Sequence, residues 1–153
     1  MNSNNIKMSQ KKKKETVILD SCYNSNNDFC LEIGIDEAGR GPMFGRLYVA
    51  AVILPKDDTF NHSIMKDSKK FTSEKKINEA ASYIKENAIA WTVQYEEAEE
   101  IDNINIRQAV LKCMHKCVDN IIEQMPTKQY GHDNYFLIVD GNDFKPYVRS
   151  SNL

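Results

Sequence analysis

With 153 residues and a formal net charge of -2, the chain is one domain or a large part of one, since domains most often hold about 100–150 residues. Leu, Ile, Val and Phe supply 36 of the 153 residues, above the roughly one-fifth below which chains stay disordered, so global disorder is excluded. The longest uncharged apolar run, Tyr48 to Pro55, falls far short of the roughly 18 residues that span a bilayer, and the first residues carry no secretory pattern.

The sequence therefore reads as an intracellular, cytoplasmic protein with no membrane partner. Cys22, Cys30, Cys113 and Cys117 form no CxxC pair and have no His at zinc-finger spacing, which points to reduced thiols rather than a metal knuckle or disulfide framework. Residues 1–29 are net basic, with the tract Lys11 to Lys14, and the remainder is net acidic. An acidic body excludes a broad polyanion-binding surface, so any nucleic-acid contact must be local. The lysine tract suits a phosphate contact or a nuclear address, but its Asn/Ser-rich setting favours a solvated arm. We read residues 1–29 as a disordered or poorly ordered basic tail and residues 30–153 as the domain.

In chain order, Leu31 to Ile35 and Leu47 to Leu54 are β-branched and apolar between Gly, Pro and charge, the pattern of buried strands. Asp67 to Phe71 reads as a loop or single turn. Thr72 or Ser73 can cap a helix to about Asn87, with Ile77, Ala80, Ala81 and Ile84 on one face. Ala88 to Tyr95 suits a third strand. From Asn105 to Met125 apolar residues recur at three and four residue steps until Pro126 stops the run, and Asn105 with Gln108 resembles a capping pair. Cys113 and Cys117 share that stripe as packing residues, and His115 lies off it, facing solvent. Tyr135 to Val139 is a strand-length apolar run ending in Asp140-Gly141. The order β, β, α, β, α, β predicts an α/β sheet.

Two of these strands end in acid, Asp36 and Glu37 after the first and Asp140 after the last. If the long helix crosses between parallel strands, both ends reach one rim of the sheet, where open α/β folds bind ligands. Carboxylates gathered there need a compensating divalent cation or shared proton, and magnesium or manganese suits oxygen-only ligands. Adjacent strand residues point to opposite faces, so Asp36 and Glu37 can serve one cluster only where the strand breaks, a break that Gly39 and Gly41 could supply. Those glycines also bare backbone N–H groups to a sugar or phosphate, with Arg40 adding a cation between them. Taken alone, this stretch fits a polar turn with an exposed acidic pair better than a site.

The ordered set is more specific: GIDEAGRGP, YVAAVIL, DSKK, a helix, AIAW, EEIDNINIRQA and VDGNDFKP. Over residues 32 to about 147 it resembles a type-2 ribonuclease H, or ribonuclease HII. The resemblance implies a ribonuclease H-like α/β fold, a mixed sheet with flanking helices. It implies an endonuclease that hydrolyses the RNA strand of RNA/DNA hybrids and cuts beside single ribonucleotides in DNA. By position, Asp36, Glu37 and Asp140 match catalytic, metal-binding carboxylates of a two-metal Mg2+ or Mn2+ site. Gly39, Arg40 and Gly41 match the loop that contacts the ribose 2′-hydroxyl, and Lys69 and Lys70 fall where family members approach phosphates. Arg46 stands where proline is usual. His62, His115 and His132 show no partner motif, and no Walker loop is present.

The family's fourth aspartate, its carboxy-terminal helices and its junction tyrosine have no counterpart before Leu153, so the chain is expected to be an amino-terminal portion. Asp143 is a candidate substitute ligand but reads better as a surface acid. An exposed sheet edge and apolar face should follow, with a second chain or segment supplying the rest or the product only weakly active. A truncated, inactive module that binds hybrids or a partner chain is the alternative.

Overall fold

Alternation of apolar side chains builds the sheet. In a computed structural model of the chain, which describes residues 20–23, 30–41, 44–125, 135–141 and 144–146, β1 spans Leu31–Ala38, β2 Leu47–Ile53, β3 Ala90–Glu96 and β4 Tyr135–Val139. Leu47, Val49, Ala51 and Ile53 are buried on one face of β2 while Tyr48 and Ala50 stay exposed on the other. The strand order is β3-β2-β1-β4, with β1–β2 and β2–β3 antiparallel and β1–β4 parallel. The expected mixed sheet is present. The Lys11–Lys14 tract, His132 and Asp143 lie outside the described residues.

Among the described residues three α-helices accompany the sheet: α1 (Glu74–Asn87), α2 (Ala98–Ile104) and α3 (Ile106–Gln124). The α3 stripe lies over β1, β2 and β3, burying Ala109, Val110, Cys113, Met114, Cys117, Val118 and Ile121 against Ile33, Ile35 and Val49. Burying a side chain such as Ile33 or Ile53 completely stabilises the fold by about 1.5–3 kcal/mol relative to exposure. Cys117 packs as expected, its thiol donating to the Val49 carbonyl at 3.3 Å. Burial pushes the Cys113 thiol up to about 11 and the Cys117 thiol up to about 12. Because β3 runs parallel to β1, as β4 does, α3 is a crossover that returns the chain to the same end of the sheet.

Three features differ from the sequence reading. First, β1 does not break at the acids but runs through Glu37 to Ala38, because Asp36, Glu37 and Ala38 pair with Ala50, Val49 and Tyr48 of β2. Second, the acidic stretch after β3 forms α2, whose Ile101 and Ile104 pack against the core. Third, α1 buries Ala80 but leaves Ile77 exposed. The sheet face opposite α3 carries the exposed apolar side chains Tyr48, Trp91, Val93, Tyr95 and Phe136. Residues 20–23 lie against its far end, where the Tyr23 ring stacks on Phe136 at 5.3 Å and the Tyr23 N–H donates to Glu32 at 2.8 Å. Among the described residues, no helix is long and apolar enough to cross a membrane.

Candidate functional site

The parallel pairing of β1 and β4 sets the site. Ile35 is the partner of Val139, so the next residues, Asp36 and Asp140, stand abreast at the same end of the sheet. The Asp140 N–H donates to the Ile35 carbonyl at 3.0 Å, carrying the ladder one residue past β4 before Gly141 (φ +123°) turns the chain. Both aspartates are exposed. On β1, Asp36 shares the row of exposed Ala50, on the face opposite α3, and its carboxylate accepts the Glu37 N–H at 2.7 Å.

Glu37 goes the other way. Its partner is the buried Val49, its side chain is 16% exposed, and Arg40 Nη1 holds its carboxylate at 3.3 Å. Since the strand continues past both acids, the side chains alternate. The register thus sets Asp36 and Asp140 at neighbouring strand ends, while Glu37 lies on the other row of β1 and pairs with Arg40. Among the described residues, no group of three or more His, Cys, Asp or Glu side chains is arranged to hold a metal ion. The Asp36/Asp140 pair nonetheless has suitable chemistry for Mg2+ or Mn2+, hard cations that take oxygen ligands. Mg2+ in particular is commonly bound by one or two carboxylates together with water and substrate phosphates.

The two glycines after β1 are not equivalent. Gly39 has φ +91°, and a Cβ there would sit 2.7 Å from the Arg46 carbonyl oxygen. Gly41 faces open space, and a Cβ there would meet nothing within 4 Å. Arg40 between them is exposed apart from its Glu37 contact. Lys69 and Lys70 lie on a one-turn 3₁₀ helix, Ser68–Lys70, whose start is capped by Asp67 accepting the Lys69 N–H at 2.9 Å. Both are exposed, and among the described residues no hydrogen bond or ion pair joins either to Asp36, Glu37, Arg40 or Asp140.

Two arrangements escaped the sequence reading. His115 is half-buried rather than solvent-facing: its Nε2 lies 3.3 Å from the Lys145 carbonyl and its ring meets Phe144 edge-on at 5.3 Å. With Lys145 Nζ donating to Gln108 at 2.6 Å, these contacts tie the segment beyond Asp140 to α3. Arg46 forms a bidentate pair with Glu97, at 3.0 Å from Nε and 2.7 Å from Nη2, and lies over the Tyr95 ring at 4.5 Å. Opposite charge was the sole signal for that pair, across 51 residues of sequence.

Residues 33–129 match the family model described as Ribonuclease HII. A ribonuclease HII of Bacteroides fragilis is 42% identical over 121 residues, which is 79% of this chain and 54% of the relative. That of Parabacteroides distasonis is 43% identical over 117 residues, 76% of this chain and 53% of the relative. The chain spans about half the length of the curated relatives it matches. Among solved structures, Bst-RNase HIII in complex with Mn2+ superposes with a TM-score of 0.58 at 19% identity, covering 73% of this chain and 37% of that one. That likeness establishes the ribonuclease H-like fold, and with the family match over the segment that bears Asp36 and the glycine loop, the chain belongs to the ribonuclease HII family.

Proposed function

We propose that this chain acts as a metal-dependent endoribonuclease on the RNA strand of RNA/DNA hybrids and on single ribonucleotides set in DNA. The observation that carries the reading is the β1–β4 register, with Asp36 and Asp140 abreast at one rim beside the glycine loop. In this reading Asp36 and Asp140 hold Mg2+ or Mn2+. When bound, a pair of such ions supplies what phosphodiester hydrolysis requires, acidifying water and neutralising the departing 3′-oxygen.

The other residues follow from their positions. In this reading Glu37 joins the acids when the end of β1 changes course on substrate binding, so that its side chain leaves the α3 face and Arg40 is released to a substrate phosphate. The bare backbone at Gly39 and Gly41 receives the ribose 2′-hydroxyl, the group that separates RNA from DNA. Lys69 and Lys70, exposed and without ion pairs among the described residues, contact phosphates and so position the duplex without reading sequence.

The test is cleavage of a DNA duplex carrying one ribonucleotide, with Mg2+ or Mn2+ supplied. Asp36→Asn should lower the rate by more than about 100-fold, since even outer partners of metal ligands are worth about 10–100-fold. Absence of cleavage by the folded parent chain in both metals would refute the reading. A second reading has its own support in Glu37, which pairs with Arg40 instead of joining the aspartates. A hybrid-binding module without cleavage would then prefer hybrid over DNA duplex at matched salt, and equal affinity for the two counts against it.

A further inference from the structure

Arg46 closes the loop that begins at Gly39. The chain leaves β1 at Ala38 and re-enters the sheet at Leu47, and the two ends of this excursion touch, since a Cβ at Gly39 would meet the Arg46 carbonyl at 2.7 Å. Leu47 pairs with Glu96, which brings Arg46 abreast of Glu97, the residue that links β3 to α2. There the guanidinium is engaged on its edge and its face. Nε and Nη2 donate to the two Glu97 oxygens at 3.0 and 2.7 Å, while the plane lies 4.5 Å from the Tyr95 ring centre. Tyr48 stands beside Tyr95, with ring centres 6.0 Å apart. Fork-to-fork pairing combined with aromatic stacking fixes an arginine in orientation as well as position.

We propose that the Arg46–Glu97 pair is a latch that positions the Gly39–Gly41 backbone beside Asp36, making both side chains positioning residues for recognition of ribose. The recognition step rests on the function proposed above; the latch itself rests on the contacts just described. Both side chains are about half exposed, so the pair contributes little to global stability and its effect is local. A loop held in its binding conformation loses less entropy on engaging a ligand, so releasing the latch should cost discrimination before it costs folding.

The experiment uses the full chain with Arg46→Ala, Glu97→Gln and the exchanged double variant Arg46→Glu with Glu97→Arg. Amide hydrogen exchange at Gly39, Arg40 and Gly41 should rise about tenfold in each single variant, with the unfolding midpoint unchanged, and return part of the way in the exchanged pair. The preference for a hybrid over a DNA duplex at matched salt should fall in the single variants in parallel. Unchanged exchange at residues 39–41 overturns the latch, and faster exchange with an undiminished preference, in a chain whose parent form has one, overturns its role in recognising ribose. Faster exchange in a chain whose parent form shows no hybrid preference supports the latch and refutes the ribose reading alone, so the two failures are distinguishable.

Discussion

At residue scale, the two glycines of GRG have separate duties. Gly39 occupies left-handed backbone and leans on a carbonyl, so Gly39→Ala combines backbone strain with a clash against main chain. It should destabilise the protein by about 1–3 kcal/mol or more, read as a lower midpoint in chemical denaturation. Gly41→Ala meets nothing and should leave the midpoint within about 0.5 kcal/mol, as surface substitutions do, while under the proposed function its methyl group should obstruct the approach of a sugar and lower the preference for hybrid. Equal destabilisation by the two substitutions would contradict this division. The sequence showed that these residues were glycines with a cation between them. It did not show which was structural, because the answer lies in the Arg46 carbonyl seven residues away.

At element scale, helix starts were more legible than strand ends. Asn105 and Gln108 have the spacing of a capping pair, and the Asn105 side chain does accept the Gln108 N–H at 3.1 Å. Asn105 also carries φ +67°, which lets it separate α2 from α3 with a single residue. Asn105→Ala should therefore cost about 1–2 kcal/mol, whereas Asn105→Gly, which keeps the backbone, should cost a few tenths. Thermal unfolding of the two variants decides it, and equal losses would show that the cap bond rather than the backbone dominates. The β1 end was misread because its extension depends on pairing with Val49 and Tyr48, a long-range contact that overrides the local signal of acid followed by glycine. Helix α2 was missed for the converse reason: Glu97 makes no side-chain cap, and Ile101 and Ile104 alone are too few to display a period. The same continuation bears on the site, since a strand that runs past Asp36 directs Glu37 to the α3 face, where Arg40 meets it.

At the scale of the whole molecule, the thiols report on the core. Cys113 and Cys117 retain their protons in the fold to about 11 and about 12, against an ordinary thiol value of 9.0, chiefly because burial disfavours the thiolate. A raised pKa means the folded form binds more protons than the unfolded form. Stability from this source is therefore complete below about pH 9 and declines as pH rises towards 11 and 12. At pH 8 a thiol reagent should modify the half-buried Cys22 and Cys30 first and reach Cys113 and Cys117 only at the rate of global unfolding. Uniform modification of all four would show that α3 is not seated on the sheet as described.

The β1–β4 register carries one more implication. Successive residues of a strand face opposite ways, so sliding β4 by a single step would turn the Asp140 carboxylate from its neighbour Asp36 towards α3. No intermediate alignment half-assembles the pair. If the chain cleaves as proposed, damage to the strands should diminish how many molecules in a preparation can react, while those that remain competent turn over at an unaltered pace.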